Sequence, residues 1–227
     1  MNPDGTPKEV ELEMDLTCMI AQVFAFFAAG FETTSSATSC LLHELAYNQE
    51  IQKNIQKEID EVLMKYDNRL CYEAVAEMTL LNLALKESLR MYPPLKILTR
   101  VCANQYKISQ LDVTIDSGVS IIIPLHALQN DGKHFDKPEQ FRPERFANNQ
   151  NIKSSYVYMP FGMGPRNCIG YRLGQMQSLA GVAALLQNFS VEPSEKTRRK
   201  LKLDLGLNKK TVKDGVPLKL LSRIKLP

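Results

Sequence analysis

The chain has 227 residues, 44% hydrophobic and 23% charged, which excludes a disordered tract and allows a real core. Its 28 basic residues are interspersed with 25 acidic ones, for a net charge of +3, so nothing in the charge pattern points to nucleic acid. Five scattered cysteines (Cys18, Cys40, Cys71, Cys102, Cys168) form no CxxC pair. That argues against a disulfide framework or a structural zinc site and suits reduced thiols, four of them expected to be small buried hydrophobes.

Residues 1–8 are polar and Pro/Gly-rich, unlike a signal peptide. Glu9 to Asn48 is predicted as one long helix, apolar on most sides in its middle. Its run Leu16–Phe31 contains Gln22 and falls short of the roughly 18 apolar residues a membrane span needs, so a buried core helix is expected and no anchor is. Gln49–Tyr66 is a second, amphipathic helix with Ile51, Ile55, Ile59 and Val62 on one stripe. Asp67-Asn68-Arg69 is a turn. Tyr72–Met78 and Leu80–Met91 are shorter helices, the latter stopped by Pro93-Pro94.

The pattern then changes. Ile97–Val101, Tyr106–Ile108, Val113–Ile115 and Val119–Pro124 are short, β-branched-rich strands of a small antiparallel region. Asn130 to Pro160 is irregular, and so long a loop inside a compact domain is usually functional. Gly170–Phe189 returns to helix, and Leu201–Lys225 reads as a hairpin turning near Lys213-Asp214-Gly215. The fold class is mainly α with small β-sheets (α+β).

The strongest chemical signal is Phe161-Gly162-Met163-Gly164-Pro165-Arg166-Asn167-Cys168-Ile169-Gly170, a glycine-rich loop presenting one cysteine at a helix N-terminus. Glycines let backbone N–H groups approach a sulfur closely, and a helix N-terminus suits an anion. A thiolate so placed is a nucleophile or a metal ligand. A second segment, Ala29-Gly30-Phe31-Glu32-Thr33-Thr34, is an odd choice for a helix interior, where Gly30 costs about 1 kcal/mol against Ala. Read alone, it would fit a helix passing close to a neighbour. A third, Glu87-Ser88-Leu89-Arg90, is in isolation a common i, i+3 ion pair worth about 0.2–0.5 kcal/mol.

Taken together, these segments resemble the motifs of cytochromes P-450, in order and over nearly the whole chain, from Glu9 to Lys225. The cysteine loop matches FxxGxRxCxG, the helix segment (A/G)Gx(D/E)T(T/S), and Glu87–Arg90 with Pro143-Glu144-Arg145-Phe146 the ExxR and PxRF elements. "PLHALQND" and "PFGMGPRNCIG" are most similar to animal, insect-type microsomal members.

The resemblance implies haem b (iron protoporphyrin IX) with Cys168 as its axial thiolate. It puts Phe161 beside the sulfur, Gly164 and Gly170 in the cradle, and Arg166 and Arg100 on the propionates. Thr33 would hydrogen-bond the dioxygen and Glu32 relay protons. Glu87, Arg90 and Arg145 would form a buried structural triad. Ala28, Ala29, Leu95, Ile97, Leu98 and Leu207 resemble pocket-lining positions, though each could equally be ordinary core.

The implied enzyme is a monooxygenase. It would insert one atom of O2 into an apolar small molecule, a xenobiotic or lipid-like compound. NADPH electrons would arrive through NADPH–cytochrome P-450 reductase, with cytochrome b5 as a further candidate partner. Lys86, Lys153 and Arg172 are candidates for a basic docking face. The expected location is the cytosolic face of the endoplasmic reticulum membrane, held by an anchor outside this sequence. Residues 1–8 form a polar segment and 9–227 the haem-binding C-terminal portion of one domain, whose N-terminal half is absent. The isolated fragment would then lack the roof that excludes water and be inactive. Two alternatives stay open: a haem-thiolate isomerase or dehydratase, against which Glu32-Thr33 argues, and a non-catalytic haem-binding fragment.

Overall fold

The computed structural model describes residues 14–147, 156–201, 212 and 215–223. The chain divides into two compact units, Met1–Glu32 and Thr33–Pro227, and helix α1 (Leu16–Tyr47) runs across the division. The expected polar segment 1–8 and the expected helix start at Glu9 lie outside the described residues.

In the first unit α1 starts at a cap in which the Asp15 carboxylate accepts the Cys18 N–H at 2.7 Å. Phe27 and Phe31, one turn apart, stack with centroids 6.0 Å apart. The expectation of a buried helix is corrected here. Val23, Phe24 and Phe27 are 68–71% exposed, because the described residues of this unit contain only the helix itself and supply no layer to pack against it. By length and composition alone α1 also meets the criterion for crossing a membrane, where the run Leu16–Phe31 was expected to fall short.

In the second unit the C-terminal half of α1 turns inward. Ala37, Leu41, Leu45 and Ala46 join α2 (Gln49–Lys65), α3 (Tyr72–Glu77), α4 (Thr79–Met91) and α6 (Tyr171–Asn188) in one core. Of the predicted α2 stripe, Ile55, Ile59 and Val62 are all under 7% exposed and Ile51 is half-buried. Fully burying each such side chain contributes about 1.5–3 kcal/mol. Asp67 and Asn68 make the expected turn after α2, both with positive φ, as their short polar side chains tolerate.

One end of this core holds a buried carboxylate. Glu44 accepts the Tyr92 hydroxyl at 2.7 Å and the Arg199 guanidinium at 3.0 Å, which satisfies an anion that could not otherwise leave water. Burial and the Glu44 charge push the Tyr92 hydroxyl above its ordinary pKa. Beside it, buried His43 reaches the Arg199 carbonyl with Nε2 at 3.1 Å, and its Nδ1 has no hydrogen-bond partner among the described residues.

The four predicted strands form nested antiparallel pairs. β1 (Leu98–Val101) pairs β4 (Ser120–Ile123), with Leu98 opposite Ile123, and β2 (Tyr106–Ile108) pairs β3 (Val113–Ile115). A short α5 (Leu125–Gln129) follows, not foreseen because five residues carry no readable period. Among the described residues of the irregular stretch, Pro143–Phe146 is a 3-10 turn.

β5 (Phe189–Pro193) continues from α6 and pairs antiparallel with β6 (Leu218–Ser222). Buried Gln52 of α2 caps the open edge of β5, donating to the Val191 carbonyl at 2.9 Å and accepting its N–H at 2.8 Å. The expected turn near Lys213-Asp214-Gly215 is present at its described residues, where Gly215, at positive φ, donates its N–H to the Val212 carbonyl at 3.2 Å; the strand beyond it pairs with β5, outside the expected hairpin.

Candidate functional site

The loop before α6 is folded by its own backbone. Gly162 N–H donates to the Met159 carbonyl at 2.8 Å, Asn167 N–H to Gly164 at 3.1 Å, and Cys168 N–H to Phe161 at 2.8 Å. Gly162 and Gly164 sit at φ of +73° and +78°, where a side chain would be strained, so the glycines the sequence reading singled out are required by the turn. Gly170 caps α6, and a Cβ there would lie 3.9 Å from the Cys168 Sγ. Phe161 packs edge-on against Tyr171, the first residue of α6, at 4.7 Å.

Cys168 is exposed. Cys40 is buried and the other three cysteines are half-buried, so the expectation of four buried thiols holds for one. Around Cys168, Ile169 is 87%, Leu173 62% and Met163 41% exposed. An exposed thiol in a segment that leaves its apolar side chains uncovered is a surface that water solvates poorly.

Beneath the loop lies the charge cluster. The Glu87 carboxylate accepts Arg90 Nε at 2.8 Å and Nη2 at 3.0 Å, Arg145 Nε at 2.9 Å, and the Arg142 backbone N–H at 3.0 Å. Glu87 and Arg90 are fully buried and Arg145 nearly so. Arg90 also donates to the carbonyls of Gln129 and Pro138 and lies over the Phe135 ring, 5.3 Å from its centroid. The irregular stretch 130–147 is thus held by carbonyls and one N–H aimed at an ion pair. An i, i+3 pair on a helix surface could not do this.

The other predicted residues are placed less decisively. Thr33 is exposed and Glu32 half-buried on α1. Within the second unit, α6 passes Thr34 closely, since a Cβ on Gly174 would lie 4.0 Å from the Thr34 Oγ1. Arg166 is exposed in a 3-10 turn, and Arg100, half-buried on β1, donates to the Thr99 carbonyl at 2.8 Å. Ala28, Ala29 and Leu95 are exposed, and Ile97 and Leu98 half-buried. Leu207 and Lys153 lie outside the described residues, whereas Lys86 is half-buried and Arg172 exposed.

A cavity of about 220 Å³ lies between α4 and the loop, lined by Leu85, Leu89, Tyr158, Phe161, Tyr171 and Gln175 among others. Burial pushes the Tyr158 hydroxyl above its ordinary pKa, and it donates to the Lys86 carbonyl at 3.1 Å. Sequence reasoning missed Gln129, the buried amide that joins α4 to the loop, because a lone glutamine in a short helix carries no periodic signal.

In this mainly α fold a glycine turn presents the exposed Cys168 at the start of α6, and a buried cluster of Glu87, Arg90 and Arg145 holds the stretch that precedes it. The family model for Cytochrome P450 matches residues 4–217, and the chain belongs to that family. It is 40% identical to cytochrome P450 6j1 of Blattella germanica over 194 residues, 85% of this chain and 38% of that protein. It is 43% identical to cytochrome P450 6l1 of the same species over 188 residues (82% and 37%). It is 40% identical to cytochrome P450 6a8 of Drosophila melanogaster over 203 residues (88% and 40%). The chain therefore spans about two fifths of the length of these insect relatives.

Proposed function

We propose that this chain is the haem-binding portion of a monooxygenase, with Cys168 as the axial ligand of a haem b. The observation that carries the reading is the one exposed cysteine among the described residues, set in a glycine turn at the start of α6 between exposed Met163, Ile169 and Leu173 in the sequence. When bound, the haem supplies oxygen activation, which an anionic sulfur ligand favours by pushing electron density onto iron.

The chain's own residues do the rest. Gly164 and Gly170 leave room at the loop, Phe161 packs beside it, and Arg166 and Arg100 pair with the propionates. Glu87, Arg90 and Arg145 lock the stretch that leads to the loop. Thr33 offers its hydroxyl to dioxygen, and Glu32 brings protons to it. Ala28, Ala29, Leu95, Ile97, Leu98 and Leu207 line the substrate pocket. The substrate class is an apolar small molecule, a xenobiotic or lipid-like compound. Electrons come from NADPH through a reductase, with cytochrome b5 as a second partner, docking on a basic face that includes Lys86, Lys153 and Arg172. The location is the cytosolic face of the endoplasmic reticulum membrane.

In the full-length protein, Cys168→Ser is expected to abolish the thiolate-type spectrum of the ferrous carbon monoxide complex. A variant that retains that spectrum would rule out Cys168 as the ligand.

A further inference from the structure

Gln129 ends α5 and is fully buried, with every polar atom of its carboxamide engaged. Its Nε2 donates to the carbonyls of Leu89 at 3.0 Å and Arg90 at 3.1 Å, in the last turn of α4. A helix leaves its last carbonyls without internal partners, so this amide also serves as a side-chain cap. Its Oε1 accepts the Met159 N–H at 3.1 Å. Its own backbone carbonyl accepts Arg90 Nη1 at 2.9 Å.

Two more backbone bonds reach the cysteine. The Met159 carbonyl accepts the Gly162 N–H, and the Phe161 carbonyl accepts the Cys168 N–H, both at 2.8 Å. The amide of Gln129 is thus where the Glu87–Arg90 helix grips the backbone at the root of the cysteine loop. Tyr158 grips the same root through its ring hydroxyl on the Lys86 carbonyl, but leaves the backbone at residue 159 free to turn. The acceptor that fixes that peptide is the Gln129 Oε1, while Nε2 ties the side chain to α4.

We infer that Gln129 is a positioning residue for Cys168, setting the height and aim of the sulfur through Met159 and the glycine turn. The inference rests on Cys168 being the iron ligand. Gln129 touches neither haem nor substrate, and it acts on the sulfur only through the backbone of Met159, Gly162 and Phe161.

The test uses the full-length, haem-loaded protein and three variants. Q129M keeps the length and loses all three bonds. Q129E keeps the acceptor for the Met159 N–H. Leu63→Ala, a cavity in α2 away from the loop, is a control for lost stability alone. Q129M is expected to bind haem about 10–100-fold more weakly, the range that loss of support behind a metal ligand gives. Much of its ferrous carbon monoxide complex should shift from the thiolate-type band to the neutral-sulfur one. Q129E and Leu63→Ala are expected to keep the thiolate band.

If Q129M is merely less stable, with haem affinity and band unchanged, Gln129 is an ordinary core residue and the inference is overturned. Loss of the band in folded Q129E overturns it too, because the Met159 acceptor is then not the link; Q129E alone decides if Q129M does not fold. If wild type and Cys168→Ser give the same spectrum, it is the haem-thiolate reading that fails, a result distinct from both.

Discussion

Removing the Glu87 carboxylate by Glu87→Leu strands two guanidinium groups. Arg90, with no side-chain exposure, keeps its bonds to the Gln129 and Pro138 carbonyls but loses its counter-charge. Arg145 is 9% exposed and can swing toward solvent at little cost, so most of the penalty falls on Arg90. Breaking a buried pair from one side costs about 3–5 kcal/mol. At about 1.36 kcal/mol per tenfold, the middle of that range shifts the unfolding equilibrium about 10³-fold. It also removes a large part of the roughly 5–15 kcal/mol that holds a domain together.

The assay is urea unfolding of the full-length protein with Glu87→Leu, Arg90→Met and the double variant, alongside haem content. Each single change should cost the full penalty and lower haem incorporation. The double variant should cost less than their sum, because both buried charges leave together, with a coupling toward the upper end of the usual 0.5–3 kcal/mol. Single variants within about 1 kcal/mol of wild type, or effects additive within about 0.5 kcal/mol, would refute the idea that the cluster acts as one buried unit.

Two further outcomes are expected. Thr33→Ala should keep haem and substrate binding but divert NADPH electrons to peroxide; an unchanged yield of product per NADPH would remove Thr33 from the oxygen chemistry. Burial holds His43 below its ordinary pKa of 6.5, outweighing the hydrogen bond to the Arg199 carbonyl and the Glu44 charge that favour the proton, so the unfolded chain binds the proton more readily. Its contribution is complete above about pH 6.5 and is lost as pH falls through the window below it, since stability rises with pH wherever the unfolded state holds more protons. His43→Gln should flatten that acid-side slope of stability, measured as the difference from wild type between pH 7 and pH 5; an unchanged slope would show that His43 does not titrate across unfolding.

The α2 stripe, the four short strands, the α4 helix stopped at Pro93-Pro94 and the cysteine loop were legible in the sequence, because each is local. Periods of 3.6 and 2, proline stops and glycine turns act within a few residues, and the P450 motifs sit inside them. The loop is the clearest case, since Gly162 and Gly164 are the residue type that the positive φ of its turn favours. What tertiary structure decided was partnership. Glu87-Ser88-Leu89-Arg90 looks like any surface ion pair until residues 136–145 fold over it. Gln52 and Gln129 look like ordinary polar residues until each finds a backbone stretch far along the chain, Val191 or Met159. The apolar run of α1 shows the same limit in reverse: its composition asks for a covering layer, but whether a helix face is covered depends on contacts distant in sequence, and in its own unit Leu16–Phe31 stands exposed.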